Sequence, residues 1–206
     1  AHQNKMNLKE FNSLVDLYFY QAEKQNPQSD FLEWLNPKNK LKFTWEEATV
    51  NIYKLANLIK KNIKDGDRCL LVSENRPEWL ISDLAIMLAG GITVPAYTTY
   101  TEKDYNYLIE DCEPSIIILS NSTMHDKLKS IINKKTFIKK IIIFDEIKNL
   151  EYQKKYIHFN FTSTKKLEES EKIKNLNLKR KSPACIIYTS GTGGNPKGVI
   201  LSHGGI

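Results

Sequence analysis

Arginine is nearly missing. Arg68, Arg76 and Arg180 are the only three in 206 residues, so the net charge of +6 is carried almost wholly by lysine. Proteins that read nucleic acids lean on arginine forks and on basic patches beside aromatics. The lysines here are scattered alongside apolar stretches, as solvated faces place them, and nucleic acid is not an expected partner. Cysteine is scarce too. Cys69, Cys112 and Cys185 are far apart and odd in number, which excludes a disulfide framework and the spacing of a zinc or redox pair. Cys69 and Cys185 lie in apolar runs and read as small buried hydrophobes. Unpaired cysteines fit a reducing compartment. No apolar run approaches the length needed to span a bilayer; Ser82 and Asp83 interrupt the best one. The first residues are polar, unlike a signal peptide. The expected location is cytoplasmic, with peripheral contact to the inner face of a membrane left open, as is the oligomeric state. His2, His125, His158 and His203 share no pattern, and no Ser-His-Asp set, paired-carboxylate site or metal cluster can be assembled. No catalytic residue and no metal ligand is assigned. A structural role is expected for His203.

What is present is ordinary for a globular chain: 41% hydrophobic residues and 10% aromatic. Residues 7–25 place Leu8, Phe11, Leu14, Val15, Tyr18 and Ala22 at helical spacing. Residues 30–34 and 41–44 read as short strands around a turn at Asn36 to Asn39. Thr44 caps the next helix, and Glu47 three residues on completes a capping box; Ala48, Ile52, Leu55, Ala56 and Ile59 share a face. Strands follow at 69–72, 92–96, 115–119 and 138–144, alternating with helices at 78–89, 102–111 and 121–134. Pro77 opens the first of these helices, Gly90 and Gly91 end it, and Thr101 caps the second. The alternation predicts an α/β fold, a doubly wound, mostly parallel sheet flanked by helices. Residues 146–181 are lysine-rich and poorly periodic, with 162–174 the best helical candidate.

The most informative stretch is Ala184 to Ser202, ACIIYTSGTGGNPKGVILS. An apolar run suited to a buried strand (Ala184 to Tyr188) leads into Thr189, Ser190, Gly191, Thr192, Gly193 and Gly194, then Asn195, Pro196 and Lys197. A second strand-like run, Val199 to Leu201, follows. Glycines let backbone N–H groups approach a ligand closely, and successive N–H groups in a turn form a concave anion site. The hydroxyls add donors, Lys197 adds a full positive charge, and Pro196 stiffens the exit. Together they describe a cradle for the phosphates of a nucleotide. It is not a Walker A loop: Pro196 stands where the second glycine belongs, Gly198 follows the lysine instead of Ser or Thr, and no helix begins after it.

The string YTSGTGGNPKGV resembles the phosphate-loop signature, TSGTTG-x-PKG, of the adenylate-forming superfamily: acyl-CoA synthetases, luciferases and peptide-synthetase adenylation domains. Gly193 stands where a second threonine is commonest. FTWEEA, from Phe43, resembles an early signature of the same superfamily. Residues 73–97, SENRPEWLISDLAIMLAGGITVPAY, look like the segment typical of long-chain acyl-CoA synthetases, through Asn75 to Trp79, Gly90, Gly91, Val94, Pro95 and Tyr97. The resemblance runs from Phe43 to His203 and corresponds to the amino-terminal part of such an enzyme.

The resemblance implies a long-chain fatty acid–CoA ligase (AMP-forming), which activates a fatty acid with ATP to an acyl-adenylate and then to acyl-CoA. ATP, Mg2+ and coenzyme A are the implied cofactors and co-substrates. Thr189, Ser190, Gly191, Thr192, Gly193, Gly194 and Lys197 are the implied nucleotide-binding residues. Residues 1–206 are expected to form an incomplete amino-terminal AMP-binding domain: an α/β subdomain at 1–145, the connector at 146–182, and the phosphate loop with the start of the next element at 183–206. On that reading this portion alone is inactive. A fatty acyl-AMP ligase or other acyl-adenylating enzyme, and a non-catalytic α/β interaction domain, remain alternatives.

Overall fold

The computed structural model describes residues 11–36, 39–148, 150, 154–161, 166–174, 178–189 and 195–205. The chain opens with helix α1 (Leu14–Lys24) and a two-stranded antiparallel hairpin, β1 (Asp30–Asn36) and β2 (Asn39–Thr44). Helix α2 (Trp45–Lys60) follows. Then come β3 (Arg68–Val72), α3 (Pro77–Leu88), β4 (Ile92–Ala96), α4 (Glu102–Cys112), β5 (Ile116–Leu119), α5 (Ser122–Ile132) and β6 (Lys140–Ile143). The last strands are β7 (Tyr156–His158), β8 (Pro183–Thr189) and β9 (Lys197–Ser202).

Seven strands form the main sheet, in the order β7-β6-β5-β3-β4-β8-β9. Every neighbouring pair is parallel except β8 with β9. Successive side chains of a strand point to opposite faces, and here both faces are apolar. Cys69, Leu71, Ile116, Ile118 and Ile142 pack with α1, α2 and α3. Leu70, Val72, Ile117, Leu119, Ile141 and Ile143 pack with α4 and α5. The sheet is therefore doubly wound, and its central strands are near-continuous hydrophobic runs because both faces are covered.

Local chemistry sets the helix ends. Ser13 accepts from the Asp16 N–H at 3.1 Å, so α1 starts at Leu14 rather than within the longer periodic stretch; residues 7–10 of that stretch lie outside the described residues. Thr44 and Glu47 form the expected capping box, and Thr101 and Asp104 form a second. Each such cap contributes about 1 kcal/mol. Pro77 opens α3, and Gly90, at φ +87°, turns the chain into β4. Asn121 caps α5.

One expectation is overturned. The residues of 162–174 that are described, 166–174, hold no α-helix, only a single 3-10 turn at Glu169–Glu171. The stretch has no apolar stripe to bury, so it follows the surface instead, touching α2 where Asn57 donates to the Glu171 carbonyl. The same connector supplies β7, which extends the sheet at its outer edge by pairing with Ile141 to Ile143.

At the carboxyl edge of the sheet the connecting loops are tied together. Arg76, buried at the turn into α3, reaches Asp145 just past β6 and also pairs with Glu78. Asn121 donates to Glu74 at 3.0 Å. Lys127 donates to the Thr98 carbonyl at 2.7 Å, and the Tyr105 hydroxyl donates to the Tyr97 carbonyl. Open α/β sheets bind ligands along this edge.

Candidate functional site

The phosphate-loop signature lies at the tip of the β8–β9 hairpin. The ladder pairs Cys185 with Leu201, Ile186 with Ile200, Ile187 with Val199, Tyr188 with Gly198 and Thr189 with Lys197. Thr189 and Lys197 are the last pair, and both are exposed. They bracket the loop. Asn195 and Pro196 are described; Ser190, Gly191, Thr192, Gly193 and Gly194 lie outside the described residues. Thr189 and Lys197 thus meet as neighbours on one face of the hairpin, because directly opposed residues of an antiparallel pair project the same way. The face they share carries Ile187 and Val199.

Lys197 begins a strand and not a helix, in keeping with the exclusion of a Walker A loop. Among the described residues, the tip offers an anion the exposed Lys197 ammonium and no helix N-terminus.

β8 is parallel to β4 through Thr93 and Cys185. The tip therefore projects from the carboxyl edge, beside the segment after β4 that carries the exposed Tyr97 and its T-shaped neighbour Tyr100, with ring centroids 5.4 Å apart.

Two features of the tip were not foreseen from sequence. The Tyr188 hydroxyl is 2.6 Å from Asp111 Oδ2 on α4. Gly198 faces the Tyr188 ring so closely that a Cβ would lie 3.2 Å from its Cζ and 3.0 Å from Ile186 Cγ2. A side chain here would press on its neighbours, a packing constraint that the motif string does not distinguish from a backbone requirement.

His203 lies at the other end of the hairpin. Its backbone N–H donates to the Ser182 carbonyl at 3.0 Å, and β8 is seven residues long, so roughly 20 Å separates it from the loop. Nδ1 accepts from the Leu14 N–H at 3.3 Å, tying the hairpin to the start of α1. Burial lowers its pKa, favouring the neutral ring that this contact needs. The structural role expected for it holds. Cys69, Cys112 and Cys185 are all free and buried, and burial pushes each thiol up, Cys112 to about 12.

Among the described residues, no group of three or more His, Cys, Asp or Glu is placed to hold a metal ion, and no helix is long and apolar enough to cross a membrane. An open cleft of about 970 Å³ between α1, α2 and residues 166–172, lined by Phe19, Trp45, Tyr53 and Phe161 among others, includes neither Thr189 nor Lys197.

Comparisons with known proteins agree with this geometry. The long-chain-fatty-acid–CoA ligase of Bacillus subtilis is 31% identical over 182 residues, covering 79% of this chain and 32% of that protein. The long-chain-fatty-acid–CoA ligase ACSBG2 of Xenopus laevis is 33% identical over 138 residues, covering 64% of this chain and 18% of the relative. The chain thus spans no more than about a third of the length of these curated relatives. Among solved structures, the anthranilate CoA ligase AuaEII in complex with anthranoyl-AMP superposes with a TM-score of 0.74 at 18% identity, covering 96% of this chain and 36% of that one. The luciferase-like enzyme of the mealworm Zophobas morio gives 0.75 at 20% identity, covering 96% and 44%. At that identity the superpositions establish the fold: a doubly wound sheet shared with a portion of each enzyme. The family described as AMP-binding enzyme matches residues 19–206, which takes in both halves of the sheet and the hairpin tip, and the chain belongs to that family.

Proposed function

We propose that the protein carrying this chain is a long-chain fatty acid–CoA ligase (AMP-forming), and that residues 1–206 form part of its AMP-binding domain. In outline, 1–145 would be the α/β subdomain, 146–182 the connector and 183–206 the phosphate-loop hairpin. The observation that carries the reading is the hairpin tip: Thr189 and Lys197 opposed at the carboxyl edge of a doubly wound sheet, with a glycine- and hydroxyl-rich loop strung between them. Support for the long-chain substrate comes from the relatives, which are named as long-chain ligases, and from the segment around Asn75 to Trp79.

In the first half-reaction, a fatty-acid carboxylate oxygen attacks the α-phosphorus of ATP. The bond from the α-phosphorus to the bridging oxygen breaks, and pyrophosphate leaves with the electron pair. Thr189, the loop 190–194 and Lys197 would hold the β- and γ-phosphates. Negative charge grows on the departing pyrophosphate, and donors already in place stabilise it without reorganising. Gripping the phosphate tail also orients the α-phosphorus for in-line attack. In the second half-reaction, the thiol of coenzyme A displaces AMP to give the thioester. Magnesium, which would neutralise phosphate charge in this step, finds no cluster of three or more His, Cys, Asp or Glu among the described residues.

The test is a paired assay on the full-length protein: fatty-acid-dependent ATP–pyrophosphate exchange, then thioester formation on adding coenzyme A. Exchange with a long-chain acid and thioester with coenzyme A are expected. Exchange without thioester would make it an acyl-AMP ligase, and exchange with acetate alone would overturn the substrate class.

A further inference from the structure

We propose that Tyr188 and Asp111 are a positioning pair for the phosphate loop, a role that rests on reading residues 189–197 as the holder of the ATP phosphates. Tyr188 is the last described residue before the tip that is buried, 7% exposed, whereas Thr189 beyond it is exposed. Its phenol donates to Asp111 Oδ2 at 2.6 Å, across 77 positions of sequence. Burial, reinforced by the neighbouring carboxylate, drives the phenol pKa up, so the proton stays on the tyrosine oxygen at any working pH.

The ring itself bridges both arms of the hairpin. It belongs to β8, yet its Cζ would lie 3.2 Å from a Cβ on Gly198 of β9. Gly198 immediately follows Lys197. One side chain therefore packs over both strands at the rung directly beneath Thr189 and Lys197, and Asp111 fixes where that side chain stands.

β8 pairs with β4 at Thr93 and Cys185, four residues short of Thr189. Helix α4 anchors this region at two points: Asp111 holds Tyr188 of β8, and Tyr105 donates to the Tyr97 carbonyl in the segment after β4. Both walls of the edge beside the loop hang from one helix. An error of about 1 Å in such a support can cost on the order of 100-fold in rate.

The experiment is steady-state ATP–pyrophosphate exchange on the full-length protein and its Tyr188→Phe, Asp111→Leu, Asp111→Asn and Tyr188→Phe/Asp111→Leu variants, each with a melting curve. Tyr188→Phe keeps the ring over Gly198 and so keeps the fold. The expected result is a roughly tenfold loss of kcat/KM for MgATP in Tyr188→Phe and Asp111→Leu, with KM for the fatty acid unchanged. Asp111→Asn, whose side-chain carbonyl still accepts the phenol proton, should recover most of the loss, and the double variant should be no worse than either single one. Wild-type exchange matched by Tyr188→Phe would overturn the pairing alone, as would a loss that falls equally on both substrates and follows the melting temperature. Absence of exchange in the wild-type protein would overturn the phosphate-site reading and the pair's role with it.

Discussion

Arg76 and Asp145, 69 positions apart, meet in a two-pronged contact, Nη2 to Oδ1 at 2.8 Å and Nη1 to Oδ2 at 3.2 Å. The guanidinium stands over the Phe144 ring, 5.6 Å from its centroid, and pairs as well with Glu78, which is 2% exposed. The contact closes the turn into α3 against the end of β6. It explains why an arginine stands in the Asn75–Trp79 segment, since a lysine could not serve two carboxylates in a plane.

Arg76→Ala should therefore lower stability by about 3–5 kcal/mol, mainly by leaving the Glu78 carboxylate buried without its cation. Arg76→Lys should lose less. Urea unfolding of both variants checks this, and a loss under ~1 kcal/mol in Arg76→Ala would show the ion pair to be dispensable.

Gly90 and Gly66 both have positive φ, +87° and +84°, but only Gly90 is crowded: a Cβ there would lie 2.6 Å from Asp65 Oδ1, whereas nothing lies within 4 Å at Gly66. Alanine at either position meets backbone strain of about 1–2 kcal/mol. Gly90→Ala and Gly66→Ala should lose similar amounts in parallel denaturant melts, because the Asp65 carboxylate ends a flexible side chain that can swing aside. A clearly larger loss at Gly90 would show that Asp65 is held in place.

His203 and His125 are both held below the usual imidazole pKa, first by burial. A depressed folded pKa means that the unfolded chain takes up the proton first as pH falls. Stability from these rings is thus complete above about 6.5 and declines as the pH drops from there towards the folded values. Unfolding free energy should fall between pH 7.5 and 5.5. His203→Gln should flatten part of that slope, and an unchanged slope would remove His203 from the acid response.

The fold was legible wherever the period was strong. The apolar blocks Cys69–Val72, Ile92–Ala96 and Ile116–Leu119 could only be buried strands, and Thr44 with Glu47 announced a helix start that the structure reproduces. Apolar spacing at Leu8 and Phe11 runs on upstream of Ser13, so period alone places the start of α1 too early, and the Ser13 cap is what sets it. β7, Tyr156–His158, was invisible because three residues carry no period; pairing with β6 alone makes them a strand. At the site, the motif string marked the tip and Lys197. What it could not convey is that Tyr188 touches Gly198 and Asp111, since contacts 10 and 77 positions apart leave no local pattern.

The most direct measurement compares long-chain-acid-dependent ATP–pyrophosphate exchange in the full-length protein with that of its Lys197→Ala variant. Lys197 is exposed on the first residue of β9, so the substitution should change stability by no more than ~0.5 kcal/mol. If Lys197 meets the departing phosphates, exchange should fall about 100-fold or more while the melting temperature holds. Exchange at the wild-type rate in Lys197→Ala would contradict the assignment of this hairpin as the phosphate site.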